Sequence, residues 1–242
     1  MSLITTQLGL DFQLSAAELE GSRNLFMAKP PQVAARFWAR DEGDIVIRDN
    51  RLFVRVINPE AATALKQAFG EEDGAWFLSM ANLTKLTTIL GGFGLKASNM
   101  GPFFVPSQRF APNLMPEMHL IEANEIPAYR ANKAISMVFG YDRHYPDQLG
   151  IAYRIDGELK AIAGASQNGD TCWEISVEIL DPRYRHRGIA AQLVKQLTAT
   201  IQSRRPDILP VYGTQFSHVQ SMNVAIRAGF VFGWTELMIG KC

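Results

Sequence analysis

Cysteine is nearly missing from this chain of 242 residues: Cys172 and Cys242 are the only two, and they lie far apart. That number and spacing encode neither a disulfide framework nor a thiolate metal site, so we expect no metal and a reducing, cytoplasmic setting. Charge of one sign is not in excess either. Lys and Arg together number 24, as do Asp and Glu, so the formal net charge is zero. No global field therefore favours nucleic acid or an anionic membrane. No apolar run approaches the roughly 18 residues of a spanning helix, and "MSLITTQLGLDFQLS" lacks the basic stretch and apolar core of a secretory leader. Internal repeats and low-complexity tracts are absent to the eye. What remains is an ordinary globular composition, 47% hydrophobic and 20% charged, with length enough for one large core or two modest ones.

Proline is clustered. The stretch "GPFFVPSQRFAPNLMPEM" (101–118) holds Pro102, Pro106, Pro112 and Pro116. Proline removes a donor and restricts its predecessor, so the stretch reads as an extended connector with a domain boundary near residue 115. In the N-terminal part, 1–115, "DIVIRDNRLFVRVI" (44–57) reads as a hairpin about Asp49-Asn50. "NPEAATALKQAF" (58–69) follows as a capped helix with Pro59 in its first turn. "GAWFLSMA" (74–81) is expected to be a strand and "NLTKLTTILGGFG" (82–94) a helix stopped by glycines. This part is mixed α and β and shows no catalytic constellation.

In the C-terminal part, 116–242, "HLIEA" (119–123) reads as a strand and "EIPAYRANKAISMVF" (125–139) as a helix. "QLGIAYRI" and "ELKAIAGASQ" pair as a hairpin about Asp156-Gly157. "CWEISVEIL" (172–180) is a strand, and 188–204 carries apolar residues at helical spacing. "ILPVYGTQ" (208–215), "VQSMNVAIRAG" (219–229) and "FVFGWTELMI" (230–239) complete the order as strand, helix and strand.

Between the strand at 172–180 and the helix at 188–204 lies "DPRYRHRGIAAQL" (181–193). It places Arg183, Arg185, His186 and Arg187 at a helix start, where the macrodipole is positive and cations are locally unfavourable unless an anion sits there. The first N–H groups of a helix lack internal partners, and Gly188, Ala190 and Ala191 let an anion approach them closely. Several charge-assisted bonds of about 1.5–3 kcal/mol each would hold a pyrophosphate.

On these residues the chain resembles the GCN5-related N-acetyltransferase (GNAT) superfamily. Arg185, Gly188 and Ala190 match the fixed positions of its R/Q-x-x-G-x-G/A motif, and Asp181-Pro182-Arg183-Tyr184 matches the lead-in, with Leu180 in the usual Val place. The element order from about residue 117 and the closing "SMNVAIRAGFVFG" are also similar. The resemblance implies an α/β (α+β) fold with a mixed, mostly antiparallel central sheet of the acyl-CoA N-acyltransferase type, acetyl-CoA as cosubstrate, and a small-molecule or peptide amine as acceptor. It implies a pyrophosphate on the amides of Arg187, Gly188, Ile189, Ala190 and Ala191, flanked by Arg185 and His186. It also implies a pantetheine arm along Ile179 and Leu180, and a CoA contact from Ser221.

A general base must take the proton of the acceptor amine. Glu174 stands where many members carry a glutamate, and Glu178 shares its strand parity unless a bulge intervenes. The alternative for Glu174 is a strand carboxylate paired with a neighbouring cation. The tyrosine that many members use to protonate the thiolate is Ala225 here, which leaves Tyr212 and His218 as substitutes; core packing and helix-start polarity are their plainer roles. Cys172, mid-strand, reads as a buried small residue. The loop "FGYDRHYPDQ" (139–148) either borders the acceptor or is a solvated turn. Three functions follow: an N-acetyltransferase acting by direct attack, a non-catalytic acyl-CoA binder, or an interaction protein with a vestigial site. The N-terminal part, which lacks the motif, is expected to shape acceptor specificity and could be a degenerate copy of the fold. Acceptor identity stays open, as does a homodimer.

Overall fold

In the computed structural model, which describes residues 2–242, the chain forms two units: residues up to Phe103 together with Gly233–Cys242, and Phe104–Phe232. Both follow from local rules. In the first unit, α1 (Leu3–Phe12) starts on Ser2, whose hydroxyl accepts the Thr5 N–H. Helix α2 (Ala16–Glu20) starts on a reciprocal Ser15–Glu18 capping box. Neither helix was legible in the sequence. After β1 (Leu25–Ala28), the hairpin of β2 (Gly43–Arg48) and β3 (Arg51–Val56) closes as expected. Asp49 and Asn50 take φ of 52° and 59°, the left-handed pair a two-residue turn needs. Strand β1 joins β3 in parallel. Helix α3 (Pro59–Phe69) is capped by the Asn58 side chain, and α4 (Met80–Gly91) by Ser79. Leu65, Phe69, Leu86 and Leu90 from these helices pack on Ile45, Leu52, Val54 and Val56.

The expected strand at 74–81 is a 3₁₀ turn, Gly74–Trp76, followed by the start of α4. Asp73 and Ser79 each accept a backbone N–H from the residues after them, and such capping competes with extended structure. The proline-rich connector also divides differently. Its first part belongs to β4 (Leu95–Pro106), where Phe103, Phe104 and Val105 are buried, and only the rest is irregular. The units accordingly divide inside β4, not near residue 115.

In the second unit, β5 (Met118–Glu122), β6 (Asp147–Ile155), β7 (Glu158–Gln167) and β8 (Cys172–Ile179) pair antiparallel in sequence order. Asp156 and Gly157, with φ of 50° and 79°, turn the β6–β7 hairpin. The chain then makes α5 (Ile189–Arg204), β9 (Leu209–Gly213), which runs parallel to β8, and α6 (Val219–Arg227). This is the mixed, mostly antiparallel sheet expected. Leu193, Val194, Leu197 and Ile201 form the fully buried stripe of α5, against Ile151, Ala163 and Ile175 of the sheet. Each contributes roughly 1.5–3 kcal/mol of burial. Strand β10 (Phe230–Lys241) carries the chain back into the first unit, where Thr235–Ile239 pairs antiparallel with β2. Among the described residues no helix is long and apolar enough to cross a membrane.

The helix expected over 125–139 is only a 3₁₀ turn, Ile126–Ala131, with irregular chain after it. The N–H groups such a helix would use internally are taken by side chains: Ala134 by Asn132, and Ser136 and Met137 by Glu178. The irregular chain instead lies flat on β6 and β7. A Cβ on Gly164 would stand 2.6 Å from the Phe139 ring and 2.8 Å from the Val138 carbonyl oxygen, so glycine is required by space. We expect Gly164→Ala to cost about 1–3 kcal/mol through overpacking, while Gly140→Ala, whose Cβ meets nothing within 4 Å, stays near neutral. Urea unfolding of both variants measures the difference.

Candidate active site

Strands β8 and β9 are paired only from Cys172–Leu209 to Glu174–Val211. Beyond that, β8 runs on to Ile179 with no β9 partner among the described residues. Where the two strands part, a cleft of about 490 Å³ opens. Val177 and Ile179 line one side and Tyr212 and Ser221 the other, with Gly188, Ile189, Ala190 and Ala191 at its end.

That end is the mouth of α5. Gly188 occupies the N-cap position with φ of 78°, no side chain caps the helix, and its first turn holds no acidic residue. His186 is left-handed too, at φ 60°. The first-turn N–H groups thus lack a side-chain acceptor at the positive end of a 16-residue helix. A Cβ on Gly188 would meet nothing within 4 Å, so the approach is open.

The crowded cations separate once folded. Arg183 turns away onto Asp181, at 2.7 Å, and its own N–H also bonds that carboxylate. These bonds, with Lys160 at 3.4 Å, hold the Asp181 carboxyl far below its usual range. The Arg187 guanidinium lies over the Tyr184 ring, 5.3 Å from its centroid. Arg185 and His186 line the cleft. A further cation arrives from α6, where Gln220, Asn223, Val224 and Arg227 line the opposite wall. Their spacing is that of one helix face, a pattern present in the sequence but not singled out there.

Residues 116–230 match the model of the acetyltransferase (GNAT) family. The chain carries a GNAT-family domain. The cleft and every residue that lines it fall within the matched segment. Among solved structures, the chain is similar to a GNAT-family acetyltransferase from Novosphingobium aromaticivorans, at 23% identity and a TM-score of 0.45 over 62% of this chain and 68% of that one. A GCN5-related N-acetyltransferase from Kribbella flavida is 18% identical with a TM-score of 0.43, over 64% and 63% of the two chains. A GCN5-related N-acetyltransferase-like protein from Streptococcus suis is 14% identical with a TM-score of 0.49, over 99% and 98%. No curated protein matches the chain.

Within the GNAT domain the candidate residues take distinct places. Leu180 does not line the cleft; it packs on the other face of the sheet, against the cluster of Ile126, Val138, Phe139 and Ile162. The N–H groups of Leu180 and Asp181 both donate to the Lys160 carbonyl, so the strand bulges there. Upstream the β7–β8 register is unbroken from Gln167–Trp173 to Ala161–Ile179, and Glu174 and Glu178 keep a common face. Glu178 is committed: it accepts the N–H groups of Ser136 and Met137 and the Ser136 hydroxyl. Glu174 accepts the Asn168 amide at 2.7 Å and is partly buried, in the last β8–β9 pair, opposite Val211.

Tyr212 and Ser221 share a hydrogen bond of 3.0 Å inside the cleft. Burial pushes the Tyr212 phenol up, Ser221 draws it partly back, and the Glu174 charge pushes it up further. His218 lines the cleft from the N-cap position of α6, exposed. In the 139–148 loop, Asp147 accepts the N–H groups of Gly140 and Tyr141 and the Ser166 hydroxyl, so it holds the turn. Cys172 is buried.

We expect CoA to raise the melting temperature, and Gly188→Glu to abolish that rise, because it puts a negative side chain at the open mouth of α5. Gly188→Asn, which tolerates the left-handed backbone, should retain it. At a CoA concentration of about 100 Kd the stabilisation lost would be roughly 2.7 kcal/mol, read as a Tm difference with and without CoA.

Proposed function

We propose that the GNAT domain transfers an acyl group, acetyl first, from acyl-CoA to a primary amine by direct attack. One observation carries the reading: the parting of β8 and β9 leads straight to the uncapped mouth of α5. A pyrophosphate fits that mouth, held by the amides of Gly188 to Ala191 and by Arg185. A pantetheine arm fits the strip of unpaired β8 backbone from Val177 to Ile179, where it replaces the missing strand. The same amides would face the thioester carbonyl and stabilise charge developing on its oxygen.

The amine attacks that carbonyl carbon with its lone pair, the C–S bond breaks, and the CoA sulfur leaves as thiolate. Baring the lone pair of an amine with a pKa near 10.4 costs about 4–5 kcal/mol at neutral pH. Glu174 is the carboxylate we assign to that proton, because Glu178 is already occupied by the 136–137 backbone. Asn168 fixes its orientation. At the leaving sulfur the Tyr212 hydroxyl, oriented by Ser221, keeps its proton at neutral pH and donates a hydrogen bond to the thiolate.

A binder without turnover is the second reading. It is favoured by Ala225, fully buried where many family members carry the tyrosine acid. Thiol release from acetyl-CoA, with a panel of amines, separates the two. Transfer predicts amine-dependent release, lowered about 10²–10⁴-fold by Glu174→Gln. It also predicts that Tyr212→Phe lowers kcat at least tenfold while the KM for acetyl-CoA stays within about twofold. CoA binding with no amine-dependent release would establish the binder instead.

A further inference from the structure

The first unit holds a cluster of charges that the transfer chemistry does not use. Asp11, Arg36, Asp44, Arg55 and Glu236 are all fully buried, from α1, the chain before β2, β2, β3 and β10. Asp11 accepts the Gln7 amide at 2.9 Å, the Arg36 N–H at 2.9 Å and the Arg36 Nε at 2.6 Å. Glu236 accepts Arg36 Nη1 at 2.5 Å and the Trp234 indole at 2.7 Å. The Arg36 guanidinium lies over the rings of Trp234 and Phe103. Arg55 stands opposite Asp44 across the β2–β3 ladder but donates to the carbonyls of Lys29, Ala39 and Asp41.

Among the described residues, both oxygens of Asp44 and the Oε1 of Glu236 have no hydrogen-bond partner. In the β2–β10 register Asp44 faces Met238 and Glu236 faces Val46. The two acids are therefore diagonal neighbours on one face, within reach of each other. Three carboxylates against two guanidiniums leave one negative charge in excess, buried, which is far costlier than a buried neutral cluster. One proton removes the excess. Asp11 and Glu236 each accept a bond from the Arg36 guanidinium; Asp44 accepts none among the described residues.

We propose that the folded protein stores one proton on Asp44, facing Glu236, and that its loss at alkaline pH loosens the layer that α1 and Arg36 form over this sheet face. Burial first, then Glu236 and Asp11, push Asp44 well up, against Arg36 and Arg55. Glu236 is pushed up as well, by burial and by Asp11, but Arg36 and Trp234 oppose it. Asp41 and Glu42 act on the cluster through Arg55. The folded state thus binds a proton that the unfolded chain releases above its ordinary value of 3.8. The contribution is whole below that value. It falls by up to tenfold in the folding constant per pH unit as pH rises, until folded Asp44 ionises.

The test uses the full chain and its Asp44→Asn variant. Infrared spectra at neutral pH should show a protonated-carboxyl band in the parent that Asp44→Asn lacks. As pH rises from neutral, the urea midpoint and the exchange protection of the Arg36 amide should fall in the parent, up to the pH at which the band is lost, and hold in the variant. A parent without the band, or a variant that keeps it, overturns the proposal, as do parallel pH profiles. Should Asp44→Asn not fold, the parent decides alone: Arg36 protection must fall with pH while the band is present and level off as the band disappears, and protection that stays flat while the band is present overturns the proposal.

Discussion

The site depends on one unmade ladder. β8 and β9 hydrogen-bond over three residue pairs and then part, so the backbone from Ile175 to Ile179 is left with groups that the sheet does not satisfy on that side. Backbone donors and acceptors in a half-buried cleft must find partners, and an extended, amide-rich ligand is what such an edge accepts. The helix that follows opens on a left-handed glycine with no cap, so the same defect continues into a set of unpaired N–H groups. Two incomplete secondary structures, end to end, make the cleft. The core beneath them is complete: the buried stripe of α5 fixes the helix on the sheet and therefore fixes where its mouth points.

Electrostatics then sorts the residues around that defect. Arg183 and Lys160 are drawn to Asp181, which fastens the turn before α5. Arg187 is spread over Tyr184, and Arg185 is left at the cleft. Carboxylates divide in the same way. Glu178 and Asp147 act as anchors for irregular chain, supplying acceptors to backbone N–H groups that no helix or strand uses. Glu174 accepts the Asn168 side-chain amide and belongs to the last β8–β9 pair. The buried cluster of the first unit shows the opposite strategy, with three acids and two arginines held away from water.

Much of the fold was legible because its signals are local. Asp49-Asn50 and Asp156-Gly157 specify tight turns by backbone sterics alone, and Asn58 and the Pro59 beside it specify a helix start. The misread segments share a cause. At 74–81 and at 125–139 the outcome turned on who accepts a few backbone N–H groups. Asp73 and Ser79 do so from nearby in sequence, but Glu178 does so from some forty residues away. No periodicity reports a partner that distant. Leu180 illustrates a finer limit: its place beside the motif was readable, but the bulge that ties its N–H and that of Asp181 to the Lys160 carbonyl was not.

By itself the sequence determined the loop that feeds α5, its glycine, its cations and the helix behind it, since helix starts and left-handed positions are set by neighbouring residues. It also determined the order of strands and helices in the GNAT domain from β6 onward. Only the tertiary structure decided which arginine of the 183–187 cluster remains at the cleft, which glutamate is already bound, that Tyr212 meets Ser221, and that five ionisable side chains share one buried layer. Those outcomes depend on distances between residues remote in sequence, and such distances exist only once strands have chosen their registers and helices their faces.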